Sequence, residues 1–302
     1  MKKRVLVTGA SGLVGSRFIE LNSDKFDFIT PSYPEFDLTK KESIKEVFEK
    51  VKFDTVVHLA AFTNVSESEV QRNNKNEACW KINVEGTKNL VSFLDPEKVQ
   101  LIHISTDYVF PGSKEDPGPY SEEKIPDIDS NKVTWYGFTK AEAEREVSKF
   151  LEEKRTILRI IYPVRAKFDQ KTDYLRKPLS LFDQGKLYPM FTDQTVSITF
   201  IDEMSQVLTK LINEKIYGTF HCSSKDTATP FDLISYLLKK ARNVKNIVKP
   251  TTLDEFIKNT ESSLVRYPKY GGLKVEKTQK ALNINFSSWR EIVDKLVEQG
   301  IC

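Results

Sequence analysis

Apolar residues fall into short runs, and the stretches between them change period. Val5-Leu6-Val7-Thr8, Phe26 to Thr30, Thr55 to Leu59, Val99 to Ile104 and Thr156 to Ile161 are continuous enough to read as buried strands. Between them lie Ser16 to Leu21, Lys40 to Val51, Glu77 to Leu94 and the helix formers from Ala141 to Phe150. In Glu77 to Leu94 the residues Ala78, Ile82, Leu90, Val91 and Leu94 share one helical face. Strand and helix thus alternate through the first half, which predicts a doubly wound parallel sheet of the α/β class with right-handed crossovers. After Tyr162-Pro163 the alternation loosens. Leu175 to Gln184, Ile201 to Asn213, Pro230 to Ala241 and Ser288 to Gln299 read as helices, and Gly218 to Cys222 as a short strand. Pro230 and Ser288 suit helix starts. These patterns predict a nucleotide-binding part over residues 1–162, a return of the chain to its sheet around 195–222, and a smaller substrate-facing part over 163–302. No repeat or low-complexity linker marks a clean cut between them.

The first strand runs directly into Gly9-Ala10-Ser11-Gly12-Leu13-Val14-Gly15, a G-x-x-G-x-x-G turn that opens a helix. Strand, glycine turn and helix in that order form the context of a dinucleotide site. Glycines permit the tight turn and a close backbone approach to a pyrophosphate, and the helix N-terminus offers N–H groups and partial positive charge. Dinucleotide folds selective for NAD usually carry a carboxylate about 20 residues after the glycines. Here the second strand exits into Thr30-Pro31-Ser32-Tyr33, without one. Asp37 follows later, in Phe36-Asp37-Leu38-Thr39, where Asp37 or Thr39 could equally cap the next helix. The missing acid leans toward NADP(H) over NAD(H), with Arg17, Lys40 and Lys41 as candidate partners of a 2′-phosphate. Ala60-Ala61-Phe62-Thr63, at the end of the third strand, is small enough for a flat ligand to lie on the backbone. Asn83 lies inside a helical stretch, where an Asn is unfavourable unless its amide is bonded.

The fourth strand ends in Ser105-Thr106-Asp107-Tyr108-Val109-Phe110, and Tyr136-Gly137-Phe138-Thr139-Lys140 opens a helix downstream. Residues four apart share a helical face, so Tyr136 and Lys140 point the same way. An ammonium beside a phenol favours the phenolate and lowers a pKa that begins near ~10. Ser105 and Thr106 could hold a carbonyl oxygen next to that phenol. Y-x-x-x-K also recurs in many helices as a plain surface pair, so its weight depends on the dinucleotide site upstream. The segment from Pro111 to Lys132 is long, as binding loops and lids often are.

Composition narrows the rest. The formal charge of +3 is small, and no basic stripe carries interleaved aromatics, which argues against nucleic acid as a partner. No apolar run approaches membrane-spanning length, and the N-terminal run is too short for a signal peptide. Cys79, Cys222 and Cys302 are odd in number and far apart, which reads as free thiols in a reducing compartment, hence a cytoplasmic protein. His58, His103 and His221 sit in or beside strand-like runs and read as hydrogen-bonded core histidines. No cluster of metal ligands stands out.

The strings T-G-A-S-G-L-V-G, H-L-A-A-F-T-N-V-S-E-S-E, N-V-E-G-T-K-N-L, I-S-T-D-Y-V-F-P-G and Y-G-F-T-K-A-E-A-E, in this order, resemble the extended short-chain dehydrogenase/reductases (extended SDR). Within them the resemblance is to the dTDP-4-dehydrorhamnose reductase family, and it runs through nearly the whole chain. It implies a Rossmann domain with a small C-terminal substrate domain. It implies hydride transfer from NAD(P)H to the keto carbon of a nucleotide-linked sugar, in carbohydrate biosynthesis. By motif, Tyr136 would donate the proton. Lys140 would bind the nicotinamide ribose, Thr106 would hydrogen-bond the reacting oxygen, and Asp107 would contact the sugar. Gly9, Ser11, Gly12, Leu13, Val14, Gly15, Asp37, Leu38, Ala60, Ala61, Phe62 and Asn83 match cofactor positions. A homodimer is among the assemblies the resemblance allows, and family members have been associated with Mg²⁺ at a subunit contact.

The chain also departs from the family. Where the family usually carries a tryptophan after its L-R-T-S segment, Tyr162 takes the place and would be the substrate contact. The C-terminal R-P-x-N-S-x-L motif is replaced by Tyr267-Pro268-Lys269-Tyr270-Gly271-Gly272-Leu273, with Arg266 one residue away. Two other activities compete with reduction. A nucleotide-sugar epimerase or dehydratase shares the superfamily, but dehydratases carry an acid–base pair after the Thr, where this chain has Asp107-Tyr108. A cofactor-binding regulatory subunit, resembling the β subunit of methionine adenosyltransferase, would explain the altered substrate motif.

Overall fold

The computed structural model of the chain describes residues 1–259 and 267–302. Arg266 therefore lies outside the described residues.

The first half alternates as its apolar runs predict. It comprises β1 (Lys3–Thr8), α1 (Leu13–Asn22), β2 (Phe26–Ile29), α2 (Lys41–Lys50), β3 (Thr55–His58), α3 (Val65–Val70), α4 (Ala78–Trp80), α5 (Thr87–Ser92), β4 (Gln100–Thr106), α6 (Trp135–Leu151) and β5 (Arg155–Ile160). The chain continues through β6 (Pro163–Val164), α7 (Arg176–Asp183), β7 (Met190–Phe191), β8 (Thr199–Phe200), α8 (Ile201–Glu214) and β9 (Gly218–Cys222). It ends with α9 (Pro230–Arg242), β10 (Pro250–Thr251), α10 (Leu253–Asn259), α11 (Glu276–Leu282) and α12 (Trp289–Glu298).

Six strands form one sheet in the order β2-β1-β3-β4-β5-β9. The β1–β2, β1–β3 and β3–β4 pairs are parallel, with Val5 opposite both Phe28 and Thr55, and His58 opposite His103. All residues of β3 and β4 are buried, the signature of strands covered on both faces. The order reverses at β1, because the chain goes out to β2 and returns to β3. That reversal opens a crevice beyond the carboxyl ends of β1 and β3, where ligands of such sheets bind.

The chain divides into two compact units. One comprises residues 1–110, 125–159 and 205–220, and the other 111–124, 160–204 and 221–302. In the first, Leu6, Ile44, Val56, Leu90 and Leu101 are fully buried in one cluster. Each such side chain contributes about 1.5–3 kcal/mol relative to exposure. In the second, Leu179, Ile198, Leu233, Leu237, Ile292 and Leu296 form a separate core. There α9 starts at Pro230 behind the Thr229 cap, and α12 starts with a reciprocal capping box between Ser288 and Glu291.

Two local expectations need correction. Glu77 to Leu94 is not one regular helix, since a π-helical stretch over Lys81–Gly86 separates α4 from α5. Neither Asp37 nor Thr39 caps α2. Lys40 occupies that position without a side-chain bond, because the Asp37 carboxylate turns back on the Thr39 N–H and hydroxyl. The short pairs β6–β8 and β7–β10 have two residues per strand and no readable period. Among the described residues no helix is long and apolar enough to cross a membrane.

Candidate active site

The glycine turn is built for close backbone contact. Gly9 adopts φ +67°, and a Cβ there would stand 2.9 Å from the Ala60 nitrogen. A Cβ on Gly15 would stand 2.5 Å from the Gly9 carbonyl oxygen, so α1 can start this close to β1 only without a side chain. Gly12 caps α1 in extended conformation and no side chain occupies the cap. Beside the turn lies a cavity of about 820 Å³, lined by Thr8, Gly9, Ser11, Asp37, Leu38 and Ala60 among others. Thr30, Pro31, Ser32 and Tyr33 complete its far wall, with no carboxylate at the end of β2. Such a cradle of backbone and small residues fits the diphosphate and adenosine of a dinucleotide. Leu13 and Val14 form the first turn of α1, while Ala61 and Phe62 follow β3. Arg17 pairs with Glu20 at 2.7 Å, and Lys40 pairs with Asp37 at 3.6 Å.

The candidate catalytic groups gather at the carboxyl end of β4. Thr106 ends the strand, and its hydroxyl accepts from the Tyr108 N–H at 3.3 Å, starting a short 3₁₀ turn over Asp107–Val109. Helix α6 packs its first turn against that segment. The Thr134 hydroxyl caps the helix by accepting from the Gly137 N–H at 2.9 Å. A Cβ on Gly137 would lie 1.9 Å from the Tyr108 carbonyl oxygen, so the glycine is what lets the helix approach. The approach sets Tyr136 edge-on to Tyr108, ring centres 5.9 Å apart. It also brings the Tyr136 phenol close enough to the Thr106 hydroxyl for the two to influence each other electrostatically.

The electrostatics contradict one expectation. The Tyr136 phenol is not acidified. Burial raises its pKa above the ordinary phenol value and the neighbouring Asp107 adds to this, while the Thr106 hydrogen bond works the other way. The Lys140 ammonium donates to the Ile104 carbonyl at 2.7 Å and lies 3.2 Å from His103 Nε2. Helical spacing fixes where two Cβ atoms point, but a four-carbon stem decides where its charge ends. Lys140 is itself lowered to about 8 by burial, with Glu144 and Cys79 opposing. Burial raises Asp107 to about 7, against hydrogen bonds from Thr106 and from the backbone N–H groups of Asp107 and Tyr108. His58 is held neutral, down to about 3, by burial and by Lys140. The site therefore contains a protonated phenol, a hydroxyl beside it, and an amine and a carboxyl that both change charge near neutrality.

Asn83 lies in the π-helical stretch, and its amide is fully engaged. Its Oδ1 accepts from the Phe62 N–H at 2.7 Å, and its Nδ2 donates to the Phe62 carbonyl at 3.1 Å and the Thr139 hydroxyl at 3.0 Å. A π-stretch shifts side chains out of helical register, as it often does at functional sites. Sequence reasoning missed the brace behind α6. The buried Glu69 carboxylate accepts from the Trp135 N–H and pairs with Arg72. Arg72 reaches on to the carbonyls of Ser130 and Val133. The only local signal was Glu69 and Arg72 at i,i+3. It also missed the buried two-pronged pair of Arg159 with Glu144, at 2.9 and 2.7 Å.

Tyr136, Lys140, Thr106, Asp107, Asn83 and the cofactor-motif residues all belong to the first unit. Tyr162 belongs to the second. It adopts φ +39°, costly for an aromatic residue, and stacks on Tyr174 with ring centres 4.0 Å apart. In Tyr267–Leu273, Lys269 is anchored by Asp193 and Asp254 at 2.7 and 2.8 Å. Among the described residues no group of His, Cys, Asp or Glu could hold a metal ion.

The family model described as the RmlD substrate binding domain matches residues 2–301, and the chain belongs to that family, within the extended short-chain dehydrogenase/reductases. A dTDP-4-dehydrorhamnose reductase of Aggregatibacter actinomycetemcomitans is 24% identical over 97% of this chain and 98% of its own length. The crystal structure of a dTDP-4-dehydrorhamnose reductase from Bacillus anthracis, in complex with NADP, superposes with a TM-score of 0.84. It shares 24% identity and covers 99% of this chain and 100% of the other. The β subunit of methionine adenosyltransferase 2 from Bos taurus is 24% identical over 99% of this chain and 91% of its own.

Proposed function

We propose that the chain is an NADP(H)-dependent reductase of a keto-deoxy nucleotide sugar, a cytoplasmic enzyme with Tyr136 as proton donor. The observation that carries the reading is the packing of the Thr106–Val109 end of β4 against the first turn of α6, the helix that carries Tyr136 and the buried Lys140. The glycine cradle in the same unit would hold the dinucleotide through Gly9, Ser11, Gly12 and the first turn of α1. Leu38, Ala60, Ala61 and Phe62 would flank it. NADPH, when bound, supplies the hydride. The Thr106 and Tyr136 hydroxyls hold the substrate carbonyl oxygen and place donors where negative charge develops. A phenol kept protonated by burial is loaded to give up its proton to that oxygen, and reduction consumes that one proton. Asp107, raised to about 7 by burial, can accept from or donate to a sugar hydroxyl. Tyr162 is the further substrate contact that the family resemblance implies.

The absence of a carboxylate at the end of β2 supports NADP over NAD. Calorimetry is expected to give at least roughly tenfold tighter binding of NADP, which corresponds to about 1.4 kcal/mol. Purified protein is expected to oxidise NADPH when given a 4-keto-6-deoxy nucleotide sugar. If several nucleotide sugars leave NADPH untouched while cofactor still binds, the regulatory-subunit reading takes precedence. That second reading is favoured by the replaced motif at Tyr267–Leu273, where Lys269 is tied to two carboxylates.

A further inference from the structure

We propose that His103 is a positioning residue for Lys140: its imidazole Nε2 and the Ile104 carbonyl together hold the lysine ammonium at the end of β4, with the His103 proton kept on Nδ1. The inference rests on the reading of Lys140 as part of the reductase machinery.

An ammonium has three N–H donors and no acceptor. Two of the three meet fixed oxygen or nitrogen atoms, at 2.7 Å on Ile104 and 3.2 Å on His103 Nε2. The aim of the third is then set by the sheet and not by the flexible stem. For Nε2 to accept, the ring must be neutral with its proton on Nδ1. His103 is fully buried, and its Nδ1 has no partner among the described residues. A buried imidazole nitrogen left unpaired is costly, and keeping it makes sense when the other nitrogen is in use.

The neighbouring histidine is fixed in the opposite tautomer. Thr8 Oγ1 accepts from the Ala60 N–H and lies 2.8 Å from His58 Nδ1. Thr87 Oγ1 donates to the Asn83 carbonyl and therefore accepts from His58 Nε2–H at 3.1 Å. The two rings lie 5.3 Å apart, centre to centre. Lys140 thus sits on a floor of two neutral imidazoles. A carboxylate in place of His103 would neutralise the ammonium. An imidazole holds it in position and leaves its charge available to a ligand. Burial and the lysine keep both rings uncharged. The other titratable groups around the amine are Glu144 on its own helix and Cys79 on α4, both acting to raise its pKa, while Asp107 and Cys79 face Tyr136.

The test uses the full chain with nitrogen-15 and carbon-13 labelled lysine and histidine. Lysine Nζ and Cε signals, assigned through Lys140→Arg, give the midpoint of Lys140, and histidine ring spectra give the His103 tautomer. Wild type is expected to show Nδ1–H at His103 below the lysine midpoint. His103→Gln keeps an acceptor and is expected to hold that midpoint. His103→Phe removes the acceptor and is expected to lower the midpoint by roughly one pH unit and kcat by roughly tenfold. A His103 proton on Nε2 while Lys140 is charged would overturn the proposal, as would an equal midpoint in all three proteins or equal shifts in both variants. If His103→Phe does not fold, the wild-type tautomer decides. These spectra need no substrate, so a protein that passes them and never turns over NADPH loses the reductase reading alone.

Discussion

The Asn83 amide lies 3.0 Å from the Thr139 hydroxyl, and through it Phe62, in the segment that follows β3, is joined to the helix that carries Tyr136. Thr139 Oγ1 donates in turn to the Tyr136 carbonyl at 2.8 Å. The segment after β3 and the helix of the proposed proton donor therefore share one carboxamide. Asn83→Leu keeps the volume and leaves the Phe62 N–H and carbonyl without their partner. Two stranded, partly buried groups of this kind should cost about 1–3 kcal/mol in urea denaturation. A loss below about 0.5 kcal/mol, typical of a surface change, would show that the clasp is incidental.

Gly137→Ala inverts the usual rule. Alanine in place of glycine inside a helix ordinarily gains about 1 kcal/mol. Here the added methyl would stand 1.9 Å from the Tyr108 carbonyl oxygen, which belongs to backbone that cannot swing aside. The start of α6 must then move away from the Asp107–Val109 turn. The expected result is a loss of about 1–3 kcal/mol in stability, together with a fall in kcat as the phenol leaves Thr106. A thermal midpoint at or above that of wild type would mean that the two segments are not in contact in solution.

How far the site could be read before the structure depends on the range of each interaction. The glycine turn was legible because its requirement is local, with Gly9 at φ +67° and Gly15 against the Gly9 carbonyl. The β4 strand and its exit at Thr106 were legible as a buried run ending in hydroxyls. Asn83 was legible only as an oddity, since its partners Phe62 and Thr139 are 21 and 56 residues away. The aim of Lys140 was not legible at all. Tyr136 and Lys140 do share a face of α6, but the ammonium ends on the Ile104 carbonyl, 36 residues back in the chain. Glu69 reaches the Trp135 N–H across 66 residues, and no spacing rule covers that distance.

Asp107 should leave a mark on stability as a function of pH. Burial raises its folded-state pKa to about 7, above its ordinary value of 3.8. Between those values the folded protein holds a proton that the unfolded chain has released. By linkage, the contribution of Asp107 to stability is most favourable below about pH 4, falls as pH rises toward about 7, and is level above that. Asp107→Asn carries no such charge. Its stability relative to wild type should therefore rise from pH 4 to pH 7 and then stay constant. A difference that is flat across this range, followed by chemical denaturation, would place the carboxylate in contact with water.

Tyr136→Phe separates chemistry from binding. The phenyl ring keeps the edge-on packing against Tyr108 and removes only the hydroxyl. Removing a positioned proton donor typically lowers turnover by about 10²–10⁴-fold. The glycine cradle, at the start of α1, is untouched. Cofactor affinity should accordingly stay within about threefold of wild type, or about 0.7 kcal/mol, while kcat collapses. Loss of kcat and kcat/KM in equal proportion would identify an interaction made only in the transition state. Turnover that survives the substitution would remove Tyr136 from its role and transfer the donor question to Asp107 and Lys140, the two groups here that hold a proton near neutrality.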